Sequence, residues 1–397
     1  MRILLRSGLV LLLAASATMA ACGGSDERDP AVLETGFEER KGSEWTSLPE
    51  EQVFLRELDR ASERVKVSEI GRSLQGRPIR LVTVGPPRAR EQIAAASSLL
   101  FVCAQHGTEP AGREYCLQAA REAVEDVGSN TLLIIPTANP DGLVIDERGN
   151  GEGIDTNRDH LELSTPEAKA IAAVMRDYRP DLVGDFHEYK DEGAGEVLLS
   201  NPETLHLNVD PSIRDLTGRL HGQAVKSLRA GRFDTDLYPT LDPNANEGVL
   251  RQQAALRHSP SLLVETPRRG TLSPLERVAA HRAAAGAMFR MFSERRAELA
   301  AATAEARRRA ADEEASGRGR YYFESPERYT NRPPCAYRLG EDEYFEVDAR
   351  LALHGIAATG DEGSWTVSTA QASRPTVGLL LDERAPAEVT EADPVAC

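Results

Sequence analysis

Four acidic and imidazole side chains stand beside apolar runs of the sequence. His106 and Glu109 are three residues apart directly after the apolar run 98–104, His187 follows another run, and Glu265 ends a third. Imidazole and carboxylate side chains suit zinc, and a catalytic zinc needs a third protein ligand with one position left open. His-x-x-Glu alone is a weak signal, because a solvated turn often carries the same pair. The spacing therefore predicts a zinc site only if the fold brings these segments together.

The surrounding elements supply such a fold. Short apolar runs predict buried strands, and two segments with apolar residues at helical spacing lie between them. The predicted strands are Ser98–Ala104, Thr131–Pro136, Asp181–Phe186 and Ser261–Glu265, and the predicted helices are Gly112–Val127 and Pro166–Asp177. Alternating strands and helices predict an α/β layer sandwich. Polar chemistry at the strand ends indicates a site at the carboxyl edge of the sheet, with His187 expected just past the end of its strand.

Two more polar segments complete an ordered set of motifs. Asn139–Gly142 reads NPDG and Gly153–Arg158 reads GIDTNR, both between His106-x-x-Glu109 and His187. Together with Glu265, this order resembles the zinc metallocarboxypeptidases of the carboxypeptidase A/B type. The resemblance covers about residues 50–295. It implies a mixed, largely parallel central sheet flanked by helices, one zinc ion per chain, and hydrolysis of C-terminal peptide bonds, with peptide or protein C-termini as substrates.

The resemblance also assigns the metal chemistry to particular residues. It implies that His106, Glu109 and His187 bind zinc and that Glu265 is the general acid/base. Asp155 falls where the family has the carboxylate that orients a zinc-binding histidine. These roles agree with general chemistry, since a ligating histidine needs an acceptor for its other ring N–H and a carboxylate can carry a proton from water to a leaving amine.

Substrate binding is assigned in the same way. The resemblance places Asn157 and Arg158 at the substrate's terminal carboxylate and Arg148 at the developing oxyanion. A guanidinium can grip a carboxylate with two hydrogen bonds, and it offers charge and donors to an oxyanion. Tyr238 is the one tyrosine between Tyr189 and Glu265, so it is the candidate for the family's substrate-binding tyrosine.

Two features depart from the family's pattern. Tyr238 lies in TDLYPTLDPN, which lacks the family's surrounding residues, so a structural loop aromatic is the alternative. Arg251 and Arg257 fall near the expected specificity pocket, where one of them would favour an acidic terminal side chain. The alternative is that both are ordinary surface arginines on a helix.

Other functions remain open at this stage. A zinc amidohydrolase of the aspartoacylase or succinylglutamate desuccinylase type shares some of these motifs, although NPDG and the strand context of Glu265 favour a peptidase. A peptidoglycan stem-peptide carboxypeptidase is a second alternative. A non-catalytic surface-binding module would be expected to lack a ligand or the catalytic glutamate, and the sequence retains both.

The N-terminal residues resemble an export signal. Arg2 and Arg6 precede an apolar run that is too short to span a membrane, and small residues then lead to Met19-Ala20-Ala21-Cys22. This order predicts a signal peptide over 1–21 and resembles a bacterial lipoprotein, in which Cys22 becomes lipidated. The expected location is the cell envelope, on its periplasmic or extracellular face, with the membrane bound through Cys22.

The remaining chain divides into three predicted parts. A polar tether is expected over 22–47, a catalytic domain over 48–317 and a small β-rich module over 320–397. Within the module, strands are predicted at Tyr344–Leu353, Ser364–Thr369 and Thr376–Leu381. If Cys22 is lipidated, four cysteines remain in an oxidising compartment, and the pairs Cys335–Cys397 and Cys103–Cys116 are possible disulfides.

Composition excludes some classes of protein. The 397 residues carry 63 acidic and 47 basic side chains, which gives a formal net charge of −16. A nucleic-acid binder needs clustered cations on its surface, so this acidic balance argues against one. Charged residues make up 28% of the chain, which excludes a polytopic membrane protein.

Overall fold

A computed structural model of the chain describes residues 29–191, 193–239, 247–312, 317–324, 326–361, 363–386 and 389–397. The predicted signal peptide and Cys22 lie outside the described residues. In these ranges no helix is both long and apolar enough to cross a membrane.

An eight-stranded mixed sheet forms the centre of the molecule. Its strands are β1 Val65–Arg72, β2 Pro78–Val84, β3 Ser98–Cys103, β4 Thr131–Ile135, β5 Leu182–Tyr189, β6 Val197–Leu199, β7 Thr235–Leu237 and β8 Ser261–Pro267. They lie in the order β1-β2-β4-β3-β5-β8-β6-β7. The run β4-β3-β5-β8 at the centre is parallel, while β1, β2 and β6 introduce antiparallel pairs. The predicted mixed, largely parallel sheet is confirmed.

Helices cover both faces of this sheet. They are α1 Gly36–Glu39, α2 Leu48–Ala61, α3 Arg90–Ala95, α4 Pro110–Asp126, α5 Pro140–Ile145, α6 Pro166–Tyr178, α7 Pro211–Ala230, α8 Leu250–Leu256 and α9 Pro274–Ala310. Alternate strand residues point to opposite faces. Leu99 and Phe101 therefore pack in the same core as α4, α7 and α9, whereas Leu100 and Val102 pack against α6 and α8.

The strand containing His187 is longer than its apolar run. The sequence predicts that the strand stops at Phe186, but β5 continues through Tyr189, and this prediction is wrong. The polar residues 187–189 stay in the sheet because β8 pairs with them in parallel, with His187 opposite Glu265. Neighbouring partners in a sheet point to the same face, so the pairing itself places these two side chains together.

The second half of the predicted tether is packed on the core. Phe37 is buried and stacks on Trp45 with 4.7 Å between ring centroids, and Thr35 and Thr46 both donate hydrogen bonds to the buried carboxylate of Glu114. The assignment of this part to a free tether is therefore wrong. Its apolar and hydroxyl side chains have specific partners on α4, which a polar composition does not reveal.

The C-terminal residues contain two small antiparallel sheets and two helices. The four-stranded sheet has the order β12-β13-β11-β14, from β11 Ala336–Gly340, β12 Thr359–Asp361, β13 Ser364–Ser368 and β14 Asp393–Val395; β9 Tyr321–Tyr322 and β10 Tyr329–Thr330 form the other. The predicted strand at Ser364–Thr369 is present. Those at Tyr344–Leu353 and Thr376–Leu381 are wrong, because these residues belong to helices α10 Glu341–Leu353 and α11 Arg374–Leu381.

Local signals explain both helices. Three acidic residues occupy the first turn of α10, where they oppose the positive end of the helix dipole, and Val347 and Leu351 recur four apart on its buried side. Pro375 stands in the first turn of α11, where its missing N–H costs nothing. Both predicted disulfides form, with Cα–Cα distances of 6.7 Å for Cys103–Cys116 and 5.1 Å for Cys335–Cys397.

Candidate metal centre

Three buried side chains meet at the carboxyl edge of the central sheet. His106 lies three residues beyond β3, Glu109 directly precedes α4, and His187 lies in β5. His106 Nδ1 is 2.8 Å from Glu109 Oε1, and His187 Nδ1 is 2.8 Å from Glu109 Oε2. The two Nδ1 atoms are 3.1 Å apart. In the part of the chain that the structure describes, this is the one group of three such residues close enough to hold a metal ion.

The other nitrogen of each ring has a carboxylate partner. Asp155 Oδ1 lies 2.8 Å from His106 Nε2, and Asp185 Oδ1 lies 2.7 Å from His187 Nε2. A carboxylate at that position accepts the Nε2–H, fixes the tautomer and leaves the Nδ1 lone pair available to a cation. Both rings are thus oriented with Nδ1 toward the same point.

Glu109 remains charged at this point although it is buried. Burial opposes ionisation, but the charges of His106 and His187 hold the pKa of Glu109 well below its usual range. The carboxylate also accepts a hydrogen bond of 3.1 Å from the backbone N–H of Glu188. The Glu188 side chain points to the other face of β5, where it pairs with Arg277 at 2.6 Å.

This donor set fits zinc. Two imidazoles and one carboxylate are a known catalytic zinc set, and three ligands leave a coordination position for water or substrate. The oriented Nδ1 atoms and the ionised Glu109 are the forms that a cation requires.

Glu265 borders the three donors from β8. It is opposite His187 in the parallel pairing and is 7% exposed. Burial raises the pKa of Glu265 above its usual range, and the nearby charge of Glu109 acts in the same direction. A buried carboxylate that binds a proton readily, next to a metal centre, has the property that a general base needs.

Arg148 lies over the same group from the loop after α5. Its guanidinium donates to Glu109 Oε1 at 3.1 Å and contacts Asp155 Oδ2 at 2.9 Å, and about half of the side chain is exposed. One positive group thus contacts both a metal donor and the carboxylate that orients His106. Its exposed side is where a bound substrate could meet it.

Asn157 and Arg158 differ in their accessibility. Asn157 Nδ2 is 2.9 Å from His187 Nε2, and its Oδ1 accepts the N–H of Leu250, so both ends of this buried amide contact protein. Arg158 is exposed, and its guanidinium donates to the carbonyl of Asn157. Within the described ranges the Arg158 guanidinium has no ion pair, which leaves it available to an anion.

Three candidates remain, which are Tyr238, Arg251 and Arg257. Tyr238 is half-buried after β7, next to residues 240–246, which are outside the described ranges. Arg251 is buried, donates to Thr204 Oγ1 at 3.2 Å and lies within electrostatic range of Tyr238 and Glu265. Arg257 points elsewhere, to Leu353 O and His354 Nδ1. The surface alternative is therefore wrong for Arg251, because its side chain is 97% buried near the site.

The NPDG segment holds the loops around the metal centre in place, although its side chains are not among the metal donors. Asn139 caps α5 through Gly142 N and donates to the carbonyls of Gln105 and Gly149. Its neighbour Asp141 binds the turn between β1 and β2. Gly107 packs so closely on Gly142 that a Cβ at Gly107 would lie 1.9 Å from a backbone carbon. The loop that contains Gly107 and the NPDG segment are therefore in direct backbone contact.

Sequence reasoning missed two residues of the site. Asp185 binds His187 directly, and Gln105 donates to Asp185 Oδ1 at 2.7 Å while its Oε1 contacts His160 Nε2 at 2.6 Å. Residues two apart in a strand share a face, so Asp185-x-His187 was a usable signal. No sequence signal marks Gln105, since its contacts depend on how the loop after β3 turns.

Comparisons with known proteins agree with this geometry. Residues 52–192 match the zinc carboxypeptidase family. The chain resembles the zinc carboxypeptidases. It is 27% identical over 259 residues to carboxypeptidase 2 of Trichophyton rubrum, an alignment that covers 59% of this chain and 48% of that protein. The chain thus spans about half the length of the curated relatives it matches.

Solved structures show the same fold. A metallo-carboxypeptidase from Burkholderia cenocepacia superposes with a TM-score of 0.50 at 21% identity, covering 62% of this chain and 70% of that one. Carboxypeptidase A from Helicoverpa armigera gives 0.51 at 19% identity, covering 66% and 74%. At these identities the likeness establishes the carboxypeptidase fold.

Proposed function

We propose that this protein is a zinc metallocarboxypeptidase that hydrolyses the C-terminal peptide bond of peptides or proteins. The observation that carries the proposal is the convergence of His106 Nδ1, Glu109 and His187 Nδ1, each ring oriented by its own carboxylate. The match to the zinc carboxypeptidase family supports the same reaction. We further propose one zinc ion per chain, held by these three residues.

The chain's own residues would divide the chemistry among them. Zinc held by these three residues would supply Lewis acidity and would lower the pKa of water to about 7. Glu265, buried and with a raised pKa, would accept a proton from the attacking water and deliver it to the departing amine. Arg148 would stabilise negative charge on the carbonyl oxygen through its exposed N–H groups.

Specificity for the chain end would come from the cationic side of the site. Arg158 has an exposed guanidinium that can bind a terminal carboxylate with two hydrogen bonds. Asn157 would act chiefly by holding Asp185 and the start of α8, since it donates to Asp185 Oδ2 and accepts from Leu250 N. Tyr238 and Arg251 would contact the terminal residue, and the positive charge of Arg251 would favour an acidic side chain there.

The substitution Glu265→Gln tests the catalytic part of this proposal. The amide is isosteric but cannot carry a proton, so turnover is expected to fall by at least about 10²-fold while one zinc per chain is retained. Metal analysis of the purified protein and the rate of release of C-terminal amino acids measure the two quantities. Unchanged turnover would exclude Glu265 as the base, and full activity without zinc would exclude the metal centre.

We also propose that the protein is exported and anchored to the cell envelope through a lipid on Cys22. The support is the order of charged, apolar and small residues before that cysteine. Cys22→Ser should move the protein from the membrane fraction to the soluble fraction of producing cells. Equal membrane association of both forms would contradict the anchor.

A further inference from the structure

A cavity apart from the metal centre lies where the ends of three helices meet the C-terminal residues. It has a volume of about 310 Å³ and is bordered by the C-terminal ends of α6, α8 and α9 and by the segments after α10 and before α11. Its ionisable lining residues are Arg176, Arg179, Arg257, Arg307, His258 and His354. No side chain assigned to the metal centre lines it. A cavity rimmed by four arginines is unexpected in a chain of net charge −16.

The positive charge of this cavity is largely uncompensated. Arg176 is paired with Asp177 at 2.6 Å. Arg257 donates to neutral acceptors, the carbonyl of Leu353 and His354 Nδ1. Arg179 and Arg307 have no hydrogen bond or ion pair from their guanidinium groups within the residues that the structure describes.

Nearby negative charge offsets these groups only in part. Asp181 lies within electrostatic range of Arg307 but accepts a hydrogen bond from Thr303 instead. The C-terminal end of a helix carries only about half an elementary charge. Burial lowers the pKa of Arg257 to about 10, with a further contribution from the charge of Arg176, and burial lowers that of Arg307 as well. Both shifts reflect the cost of burying a charged guanidinium, which Asp181 offsets only in part for Arg307.

His258 gives an independent indication of a missing ligand. Its side chain is 2% exposed, and its Nε2 donates to the carbonyl of Ala372 at 2.7 Å. Its Nδ1 is buried without a hydrogen-bond partner. The backbone at His258 also has a positive φ of 66°, which L residues with a bulky side chain seldom adopt. A buried polar atom without a partner costs free energy unless something else satisfies it.

We propose that this cavity binds a small oxyanion that retains one O–H, of the phosphate or dicarboxylate class, between the guanidinium groups of Arg179, Arg257 and Arg307. Guanidinium groups bind the paired oxygens of both kinds of anion with parallel hydrogen bonds. His258, whose Nε2 already donates to Ala372, completes the site by accepting a hydrogen bond from that O–H at Nδ1. The volume is at the lower end of the range for small-molecule sites, about 300–1,000 Å³.

A bound anion would join the sheet domain to the C-terminal residues. Arg257 and His258 follow α8, whereas His354 and Ala372 belong to the C-terminal residues and already contact them. Neutralising the arginines would remove their mutual repulsion at this junction. The anion is therefore expected to raise the thermal stability of the whole chain.

Titration calorimetry of the purified chain tests the site, with inorganic phosphate and succinate added separately against sodium chloride of equal ionic strength. We expect saturable binding of one anion per chain and a rise in the unfolding temperature. Arg307→Gln should weaken binding about tenfold, because one charge-assisted contact is lost. Arg308→Gln, one residue further along α9 in an exposed pair with Glu305, removes the same charge and should leave binding unchanged.

Tighter binding of phosphate would assign the ligand to the phosphate esters, and tighter binding of succinate would assign it to the dicarboxylates. Absence of saturable binding of both anions would overturn the proposal, as would an equal loss in Arg308→Gln. Should Arg307→Gln fail to fold, Arg179→Gln at an exposed position provides the same test. Unchanged affinity in that variant would also overturn it.

Discussion

At the scale of single residues, each of the two candidate zinc-binding histidines is held by a carboxylate that is not itself a candidate ligand. His106 is held by Asp155, and His187 is held by Asp185, which in turn accepts a hydrogen bond from Gln105. These contacts aim both Nδ1 atoms at Glu109, and in the neutral rings that a cation requires they would keep the proton on Nε2. We expect the affinity for zinc to reside as much in the two carboxylates as in the ligands themselves.

The substitution Asp185→Asn tests this dependence. The amide keeps the size of the side chain but loses the charge that fixes the tautomer of His187. Zinc affinity is therefore expected to fall by about 10- to 100-fold. Competition with a chromophoric chelator measures the affinity. Asp191→Asn, an exposed acid six residues along, is the control and should retain wild-type affinity; equal affinity in both variants would contradict the role of Asp185.

Residue types alone predict the three donors of the metal centre, and the reason is chemical. His106, Glu109 and His187 stand out because their side chains suit one cation and follow apolar runs. Arg251 was ambiguous, because a sequence cannot show whether an arginine on a short helix faces solvent or the core. Gln105 could not be predicted, since the role of an amide side chain depends on the groups that the loop places next to it.

At the scale of elements, the site is held by contacts between segments that are distant in sequence. Arg113 on α4 is fully buried and pairs with Glu51 on α2 at 2.5 Å. The same carboxylate accepts a hydrogen bond from Thr137, just before the NPDG segment. This network fixes α2 and the loop after β4 against the helix that begins next to Glu109.

Removing the charge of Glu51 should destabilise the whole sheet domain. Glu51→Gln leaves the guanidinium of Arg113 buried without a counter-charge, so the free energy of unfolding is expected to fall by about 3 kcal/mol. Urea denaturation followed by circular dichroism measures it. Glu57→Gln on the same helix breaks only surface pairs, with Arg56 and Arg60, and should cost less than about 1 kcal/mol. Similar losses in the two variants would contradict the buried network.

The elements of the central sheet were predictable because their patterns are strong. The runs at β3, β4 and β8 are apolar on both faces, as buried parallel strands require. The C-terminal helices were mistaken for strands because α10 contains Tyr344, Phe345 and Val347, residue types that favour strands, whereas α11 is short and largely aliphatic. Tertiary packing decides such cases. The end of β5 was misplaced because pairing with β8, rather than apolar character, keeps residues 187–189 in the sheet.

At the scale of the whole molecule, the mixed sheet carries the polar site residues at one edge. The C-terminal residues pack on other parts of the sheet domain. The disulfide Cys335–Cys397 links residues 62 apart and ties β11 to the last residues of the described chain. Arg257 and His258 extend from the end of α8 to these residues. The division into a catalytic domain over 48–317 and a module over 320–397 stays a prediction, as does the location of the protein at the cell envelope.

The most direct test of the central claim is cleavage of one peptide set prepared with free and with amidated C-termini. If the chain is a carboxypeptidase whose Arg158 binds the terminal carboxylate, we expect release of single C-terminal residues from the free peptides. Cleavage of the amidated peptides should be about 10²-fold slower or more, because the charge-assisted contact to Arg158 is missing. Equal cleavage of both forms, or no release from any free peptide by the zinc-loaded protein, would contradict the account.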